Sequence, residues 1–189
     1  MVEIHLQGFP GFFLSFLGPG FLKVYYRAVC RDQQSICFVS VDNDQVINGF
    51  VVGAVDPGQF YKKIFRRDFA TFALGTLKAL LARPVILSRL IRTALKAAGN
   101  GSGGDSVGLF SIAVSPSAQG GGIGGELVGA FLKEAAIRNC SSVTLTTDGD
   151  NNERVHLFYR KWGFRIDKEF VTAEGRRMCQ YVCQVESNG

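Results

Sequence analysis

Ile112-Ala113-Val114-Ser115-Pro116-Ser117-Ala118-Gln119-Gly120-Gly121-Gly122-Ile123-Gly124-Gly125 carries an apolar run into a turn with five glycines in six positions, and then directly into an amphipathic pattern. Glycine reaches backbone angles closed to other residues, and without a Cβ in the way several consecutive N–H groups can converge on one anion. Leu127, Phe131, Leu132 and Ala135 follow at helical spacing. A helix starting near Gly122 therefore adds unpaired N-terminal donors and the positive end of its dipole to the same turn. The stretch reads as strand, anion cradle and helix, with a pyrophosphate as the expected ligand.

Two phosphate-binding architectures can be set against it. Gly120, Gly122 and Gly125 fit the G-x-G-x-x-G dinucleotide fingerprint, and Asp148 stands about twenty residues on. A dinucleotide turn follows its strand directly, however, whereas Ser115 to Gln119 intervene here, and only 41 residues remain after Asp148 for the further strands that such a domain needs. A nucleoside-triphosphate loop is excluded because no G-K-[ST] follows the glycines.

The segment resembles the GNAT acetyltransferase superfamily, whose pattern here is an apolar strand, a V-x-P step and [QR]-x-x-G-x-[GA]; Val114 and Pro116, then Gln119, Gly122 and Gly124, occupy those positions. A second stretch, Asn152-Glu153-Arg154-Val155-His156-Leu157-Phe158-Tyr159-Arg160-Lys161-Trp162-Gly163-Phe164, is similar to the family's N-x-x-A-x-x-[LF]-Y-x-x-x-G-F helix and turn, departing from it at Val155. The resemblance implies a GNAT fold of α+β class: a mixed, mostly antiparallel sheet of about seven strands flanked by helices. It implies acetyl-coenzyme A as co-substrate, with its pyrophosphate on the amides of Gln119, Gly120, Gly121, Gly122, Ile123, Gly124 and Gly125. The pantetheine arm would lie along the backbone of Ile112, Ala113 and Val114. Asn152 would begin its helix as a cap and also approach the coenzyme, and Tyr159 would be the acid that protonates the departing thiolate. The expected reaction is acetyl transfer to a primary amine by direct attack in a ternary complex. The base stays open between Asp56, Asp148, His156 and a water-mediated route.

With 189 residues, 47% of them apolar, the chain can bury one core as a single domain. Cys30, Cys37, Cys140, Cys179 and Cys183 form no C-x-x-C pair, and two histidines give no metal-ligand spacing. Reduced, mostly buried thiols, no metal and a cytoplasmic location are expected. Leu6 to Leu22 is uncharged but broken by Gly8, Pro10, Gly11, Gly18, Pro19 and Gly20, which argues against a spanning helix and for short helices, with Phe21, Tyr25, Ala28 and Val29 extending an apolar face. Strands are expected near Ile4, over Ile36 to Val41, Val46 to Val55, Leu109 to Ser115, Val143 to Thr147, Arg165 to Val171 and Met178 to Val185. The turn Asp42 to Gln45 joins the second and third of these as a hairpin.

Between the third strand and the coenzyme strand lies a helical insertion, residues 59–98, broken before Pro84, then a Gly/Ser-rich linker, residues 99–106. The insertion holds nine cations, Lys62, Lys63, Arg66, Arg67, Lys78, Arg83, Arg89, Arg92 and Lys96, against Asp68 alone, in a chain of net charge +5. Three readings remain open: a solvated face, a rim for an anionic acceptor such as a nucleotide-linked or phosphorylated amine, or contact with an anionic membrane surface, which would make the protein peripheral at the inner membrane. Nucleic acid is disfavoured, since no recognised binding module accompanies the charge. The competing function is a non-catalytic module that binds acetyl-coenzyme A or a membrane surface. Oligomeric state and acyl-chain length are not legible.

Overall fold

A computed structural model describes residues 1–64, 66–67, 105–173 and 175–185, the side chain of Phe13 excepted. Three helices open the chain: α1 (Val2–Gly8), α2 (Phe13–Phe16) and α3 (Gly18–Arg31). Strands β1 (Ser35–Val41) and β2 (Ile47–Val55) follow, and residues 57–64 form α4. The chain then runs through β3 (Ser106–Val114), a single 3-10 turn at Pro116–Ala118, and α5 (Ile123–Ile137). It ends with β4 (Ser142–Asp148), α6 (Glu153–Lys161), β5 (Arg165–Val171) and β6 (Arg177–Gln184).

The six strands form one sheet in the order β1-β2-β3-β4-β6-β5. Every neighbouring pair is antiparallel except β3 with β4. Side chains alternate between the two faces of a strand, so each strand supplies two cores. On one face Val51, Val107, Leu109, Val143, Leu145, Cys179 and Tyr181 pack with Leu127, Val128, Phe131 and Ala135 of α5 and with Tyr159 of α6. On the other, Phe50, Val52, Ala54 and Ala113 pack with Ile4 of α1, with Phe21, Leu22, Tyr25, Tyr26 and Val29 of α3, and with Phe60 and Ile64 of α4. Fully buried side chains of this size contribute roughly 1.5–3 kcal/mol each before the entropy of ordering them is subtracted.

The segment around Ile4 is a helix, so among the described residues the sheet has six strands and not seven. Val2, Ile4 and Leu6 alternate with polar residues, a pattern too short to separate strand from helix. Tertiary packing decides it: Gly8 lies so close to β3 that an added Cβ would come within 3.3 Å of the Ala113 Cβ. The segment thus covers a sheet face instead of extending a sheet edge. The helices expected in Leu6 to Leu22 form, with Pro19 in the first turn of α3, where its missing N–H costs nothing.

With six strands, the insertion falls between β2 and β3. Its helix begins at residue 57, and the rest of it, residues 65 and 68–98, lies outside the described residues, as do residues 99–104 of the linker. Ser106, expected to close that linker, is already the first residue of β3. Two insertion cations are spoken for: Lys63 and Arg67 lie 2.9 and 3.4 Å from the carboxylate of buried Asp32, at the end of α3. Burial raises the Asp32 pKa, but hydrogen bonds from Lys63 and the Gln34 amide outweigh it and hold the carboxylate below its ordinary value.

Candidate active site

The parallel ladder between β3 and β4 covers three registered pairs, Ser106 with Ser142, Val107 with Val143 and Gly108 with Thr144. Beyond it β3 continues to Val114 and β4 to Asp148 with no pairing between them, so the sheet opens into a cleft. A bulge accompanies the parting. Val52 faces Ser111 and Gly53 faces Leu109, which leaves Phe110 as an extra residue on β3.

Backbone polarity inside the cleft follows from register. The Ser115 amide donates to the Asn48 carbonyl at 2.8 Å. In an antiparallel ladder alternate residues turn their N–H and C=O to the same neighbour, so Ser115 and Ala113 address β2 while Ile112 and Val114 turn theirs toward the cleft. Of the three strand residues expected to meet the pantetheine arm, two therefore offer main-chain groups, and Ala113 instead buries its methyl beneath α1. The Gln119 side-chain amide donates to the Val114 carbonyl at 3.3 Å, tying the turn to the end of β3.

Gly120 and Gly122 have φ of +88° and +82°, left-handed values at which any Cβ is strained. Gly122 is the residue before α5, and none of the amides of residues 120–124 donates to a protein group among the described residues. Five adjacent amides without protein partners, at the start of a 15-residue helix, form a donor set suited to an anion. The Gly125 amide differs, since it donates to the Gly122 carbonyl at 2.8 Å. Its missing Cβ has another use: a Cβ there, or at Gly129, would stand 3.3 or 3.1 Å from the Trp162 ring. Gly125 and Gly129 make the groove in which the aromatic end of α6 lies on α5.

α6 brings the remaining expected residues to the cleft. Asn152 occupies the N-cap position without capping the helix through its side chain; its amide group donates instead to Thr147 Oγ1 at 2.9 Å and to the Asp148 carbonyl at 3.0 Å, joining α6 to the end of β4. Tyr159 is 6% exposed and shares its cluster with Leu109 and Leu145, the first residues of β3 and β4 past the last paired positions. Its ring packs against Phe158, Phe164 and Tyr181. Burial pushes its pKa well above the ordinary phenol value, so it stays protonated. Its hydroxyl makes no hydrogen bond among the described residues and is free to donate to a ligand.

The candidate bases separate by location. Asp56 lies at the closed end of the sheet, where its own amide donates to the Ser106 carbonyl and its carboxylate receives the Gln59 amides at 3.1 and 2.8 Å. Both ring nitrogens of His156 are engaged. The Gly149 carbonyl, 3.4 Å from Nε2, can only accept, which puts the proton on Nε2 and leaves Nδ1 to accept from the Tyr181 hydroxyl at 2.8 Å. Asp148 lies at the open end of β4, where both of its carboxylate oxygens receive Arg176 Nη2 at 2.6 Å.

On the face of β3 away from α5 stands a buried polar chain with no sequence signature. His5 Nδ1 lies 2.6 Å from the Tyr26 hydroxyl, and Ser111 is buried beside the bulge on β3. His5 is 2% exposed, its Nε2 has no partner, and burial pushes its pKa down to about 4.

Among the described residues no group of three or more His, Cys, Asp or Glu could hold a metal ion, and no helix is long and apolar enough to cross a membrane. All five cysteines are free.

A mixed sheet split between two parallel strands, with a glycine turn leading into a helix on one side of the split, defines an acyltransferase of the GNAT class. The family model described as "Acetyltransferase (GNAT) family" matches residues 6–164, and the chain belongs to that family. Acetyl-coenzyme A is accordingly its co-substrate. Among solved structures it resembles the ribosomal-protein-S18-alanine N-acetyltransferase from Escherichia coli, at 16% identity and a TM-score of 0.58 over 100% of this chain and 88% of that one. It also resembles a spermidine N-acetyltransferase chimera from Vibrio cholerae, at 16% identity and a TM-score of 0.53 over 88% and 76% of the two chains. A third similar structure is the NatC complex bound to Gag peptide and CoA, at 14% identity and a TM-score of 0.54 over 87% and 79%. No curated protein matches the sequence.

Proposed function

We propose that this chain transfers the acetyl group of acetyl-coenzyme A to a primary amine of a small molecule by direct attack within a ternary complex. What supports the reading is a set of unpartnered amides at residues 120–124 after β3, together with a protonated phenol at position 159 packed against Leu109 and Leu145, where β3 and β4 part. The amides of Gly120 to Gly124 hold the diphosphate. Main-chain groups of Ile112 and Val114 continue the β3 edge along the pantetheine, and Asn152 fixes the end of β4 beside it.

A neutral amine attacks the thioester carbonyl carbon; the C–N bond forms as the C–S bond breaks, and the thiolate takes the Tyr159 proton. The proton shed by the amine leaves through water, since the nitrogens of His156 are committed, Asp56 lies at the wrong end of the sheet and both oxygens of Asp148 are held by Arg176. Positioning two reactants in one cleft supplies much of the acceleration. An anionic acceptor held by the basic insertion is a weaker variant of the same reading, because Lys63 and Arg67 already serve Asp32.

Thiol release measured over a broad panel of primary amines tests the proposal. Turnover by the native protein, lost in Tyr159→Phe while coenzyme still binds, supports it. Tight coenzyme binding without thiol release on any amine would return the chain to the non-catalytic reading.

A further inference from the structure

Where β3 and β4 part, the cleft faces both sides of the sheet: α5 and α6 pack on one, and α1 packs against β3 on the other. An acceptor that meets the coenzyme's thioester from the side the coenzyme does not fill would enter by the second side, the mouth between the end of β4 and the connection that follows α1, where an arginine side chain stands.

That side chain is Arg176. Along β4, Val143 and Leu145 point into the core under α5 and α6, and Thr147 follows them to meet Asn152. By the pleat, Asp148 points to the other face. Its carboxylate is held by Arg176 through Nη2 at 2.6 Å to each oxygen and through Nε at 3.0 Å. The guanidinium carbon of Arg176 lies 4.7 Å from the centre of the Phe12 ring, and Phe12 in turn packs edge-on against Phe9 in the connection that follows α1. The β4 end and the helical cover of β3 are thus linked across the mouth by a single cation. Its backbone sits in the β5–β6 turn, closed by Thr172: the Thr172 amide donates to the Arg176 carbonyl at 2.8 Å, and the Arg176 amide to Thr172 Oγ1 at 3.2 Å.

The link is built to exchange. The Arg176 and Asp148 side chains are 42% and 25% exposed, and half-exposed ion pairs with a cation–π contact are weak enough for a competing cation to displace them. Neighbouring Arg177 is engaged with Asp150 and Glu169, each at 3.3 Å, so a second arginine is not held in reserve for Asp148. An entering ammonium would trade one cation for another and leave no buried charge unpaired, whereas an entering carboxylate or phosphate would face Asp148 directly.

We propose that Asp148 anchors a second, non-reacting ammonium of the acceptor, and that Arg176 is its resident counter-ion, displaced when a diamine enters. This rests on the acetyl-transfer reading and narrows the acceptor to small cationic amines carrying two amino groups. One ammonium is held at Asp148 while the other, deprotonated, attacks. Arg176 acts as a specificity-determining residue that sets how readily the mouth accepts cations.

Three acceptors of one chain length test it in the full-length protein: butane-1,4-diamine, butylamine and 4-aminobutanoate, with acetyl-coenzyme A saturating. The expected result is a preference in kcat/KM for the diamine. Arg176→Gln should raise the diamine-to-butylamine ratio several-fold through KM, Asp148→Asn should lower it by about tenfold or more, and the double variant should match Asp148→Asn. A preference for 4-aminobutanoate, or variants that shift all three acceptors alike, would overturn the proposal while leaving acetyl transfer intact. If no acceptor turns over, acetyl transfer to small amines falls instead, and calorimetric binding of butane-1,4-diamine with coenzyme A present still decides the anchor. Binding weakened by Asp148→Asn and strengthened by Arg176→Gln supports it, and equal binding in all three proteins refutes it.

Discussion

On the face of β3 that carries α5, the surface turned toward the cleft is main chain: the amides of residues 120–124 and the strand groups of Ile112 and Val114. On the other face it is side chains, with His5, Tyr26 and Ser111 in a buried row and Phe12, Arg176 and Asp148 across the mouth. The first surface is assembled from one continuous stretch of sequence. The second draws on α1, α3, the α1–α2 connection, β3, β4 and the β5–β6 turn. A diphosphate common to every reaction of a family can be met by invariant backbone geometry, while an acceptor that differs from one enzyme to the next is met by replaceable side chains.

The contrast is tested most directly at Tyr159, the acid of the proposed reaction. Tyr159→Phe is expected to lower kcat by about a hundredfold or more while leaving coenzyme affinity within about twofold, read by thiol release and by titration calorimetry. A variant that lost coenzyme affinity in proportion would make Tyr159 part of the coenzyme surface. On that surface, Gly122→Val forces a β-branched residue to φ of +82°. Strain of about 1–3 kcal/mol should weaken coenzyme binding by roughly tenfold and barely move KM for the acceptor. Equal damage to both constants would dissolve the division between the faces.

Trp162→Ala probes how the coenzyme surface is supported. Emptying the groove over Gly125 and Gly129 should cost about 2 kcal/mol of stability, measured by urea unfolding, and should loosen coenzyme binding more than acceptor binding.

The opposite face has a pH signature. His5 is held neutral, with its pKa down at about 4 in the folded protein against 6.5 unfolded. Below about pH 6.5 the unfolded chain takes up a proton that the folded chain refuses, so stability falls from there toward pH 4. The fall in melting temperature between pH 7 and pH 5 should shrink in His5→Gln; an unchanged slope would show that the row beneath β3 does not titrate with folding.

The smallest effect is a control remote from both surfaces. Cys30, on α3, shares with Cys37 and Arg138 a cavity of about 270 Å³ beside β1, and its pKa is lowered to about 7 by a hydrogen bond with the Cys37 thiol, against a burial cost that raises it. Alkylation of Cys30 should rise with pH through a midpoint near 7, and coenzyme should not protect it. Protection would connect this side of the molecule to the cleft.

Local chemistry made the coenzyme side readable. Five glycines before an amphipathic run specify a turn with exposed amides wherever the chain places it, and the spacing of Asn152, Phe158 and Tyr159 sets them on a helix without knowledge of its neighbours. Gly125 shows where this stops: its glycine is required by Trp162, 37 positions away in the sequence, a demand indistinguishable in the primary structure from that of an anion. Asn152 is similar, since its place before the helix was legible but its bonds to Thr147 and Asp148 were not.

The amino-acid sequence by itself determined the family, the glycine turn before α5, the helix bearing Tyr159 and nearly every strand, because each depends on residues a few positions apart and on the periodicity of one element. Only the tertiary structure decided that the segment around Ile4 is a helix, that His156 is bound at both nitrogens, that Lys63 and Arg67 serve Asp32, and that Arg176 joins Asp148 to Phe12. Those outcomes depend on contacts between elements distant along the chain, whose energies arise only when packing removes water and brings the partners within bonding distance.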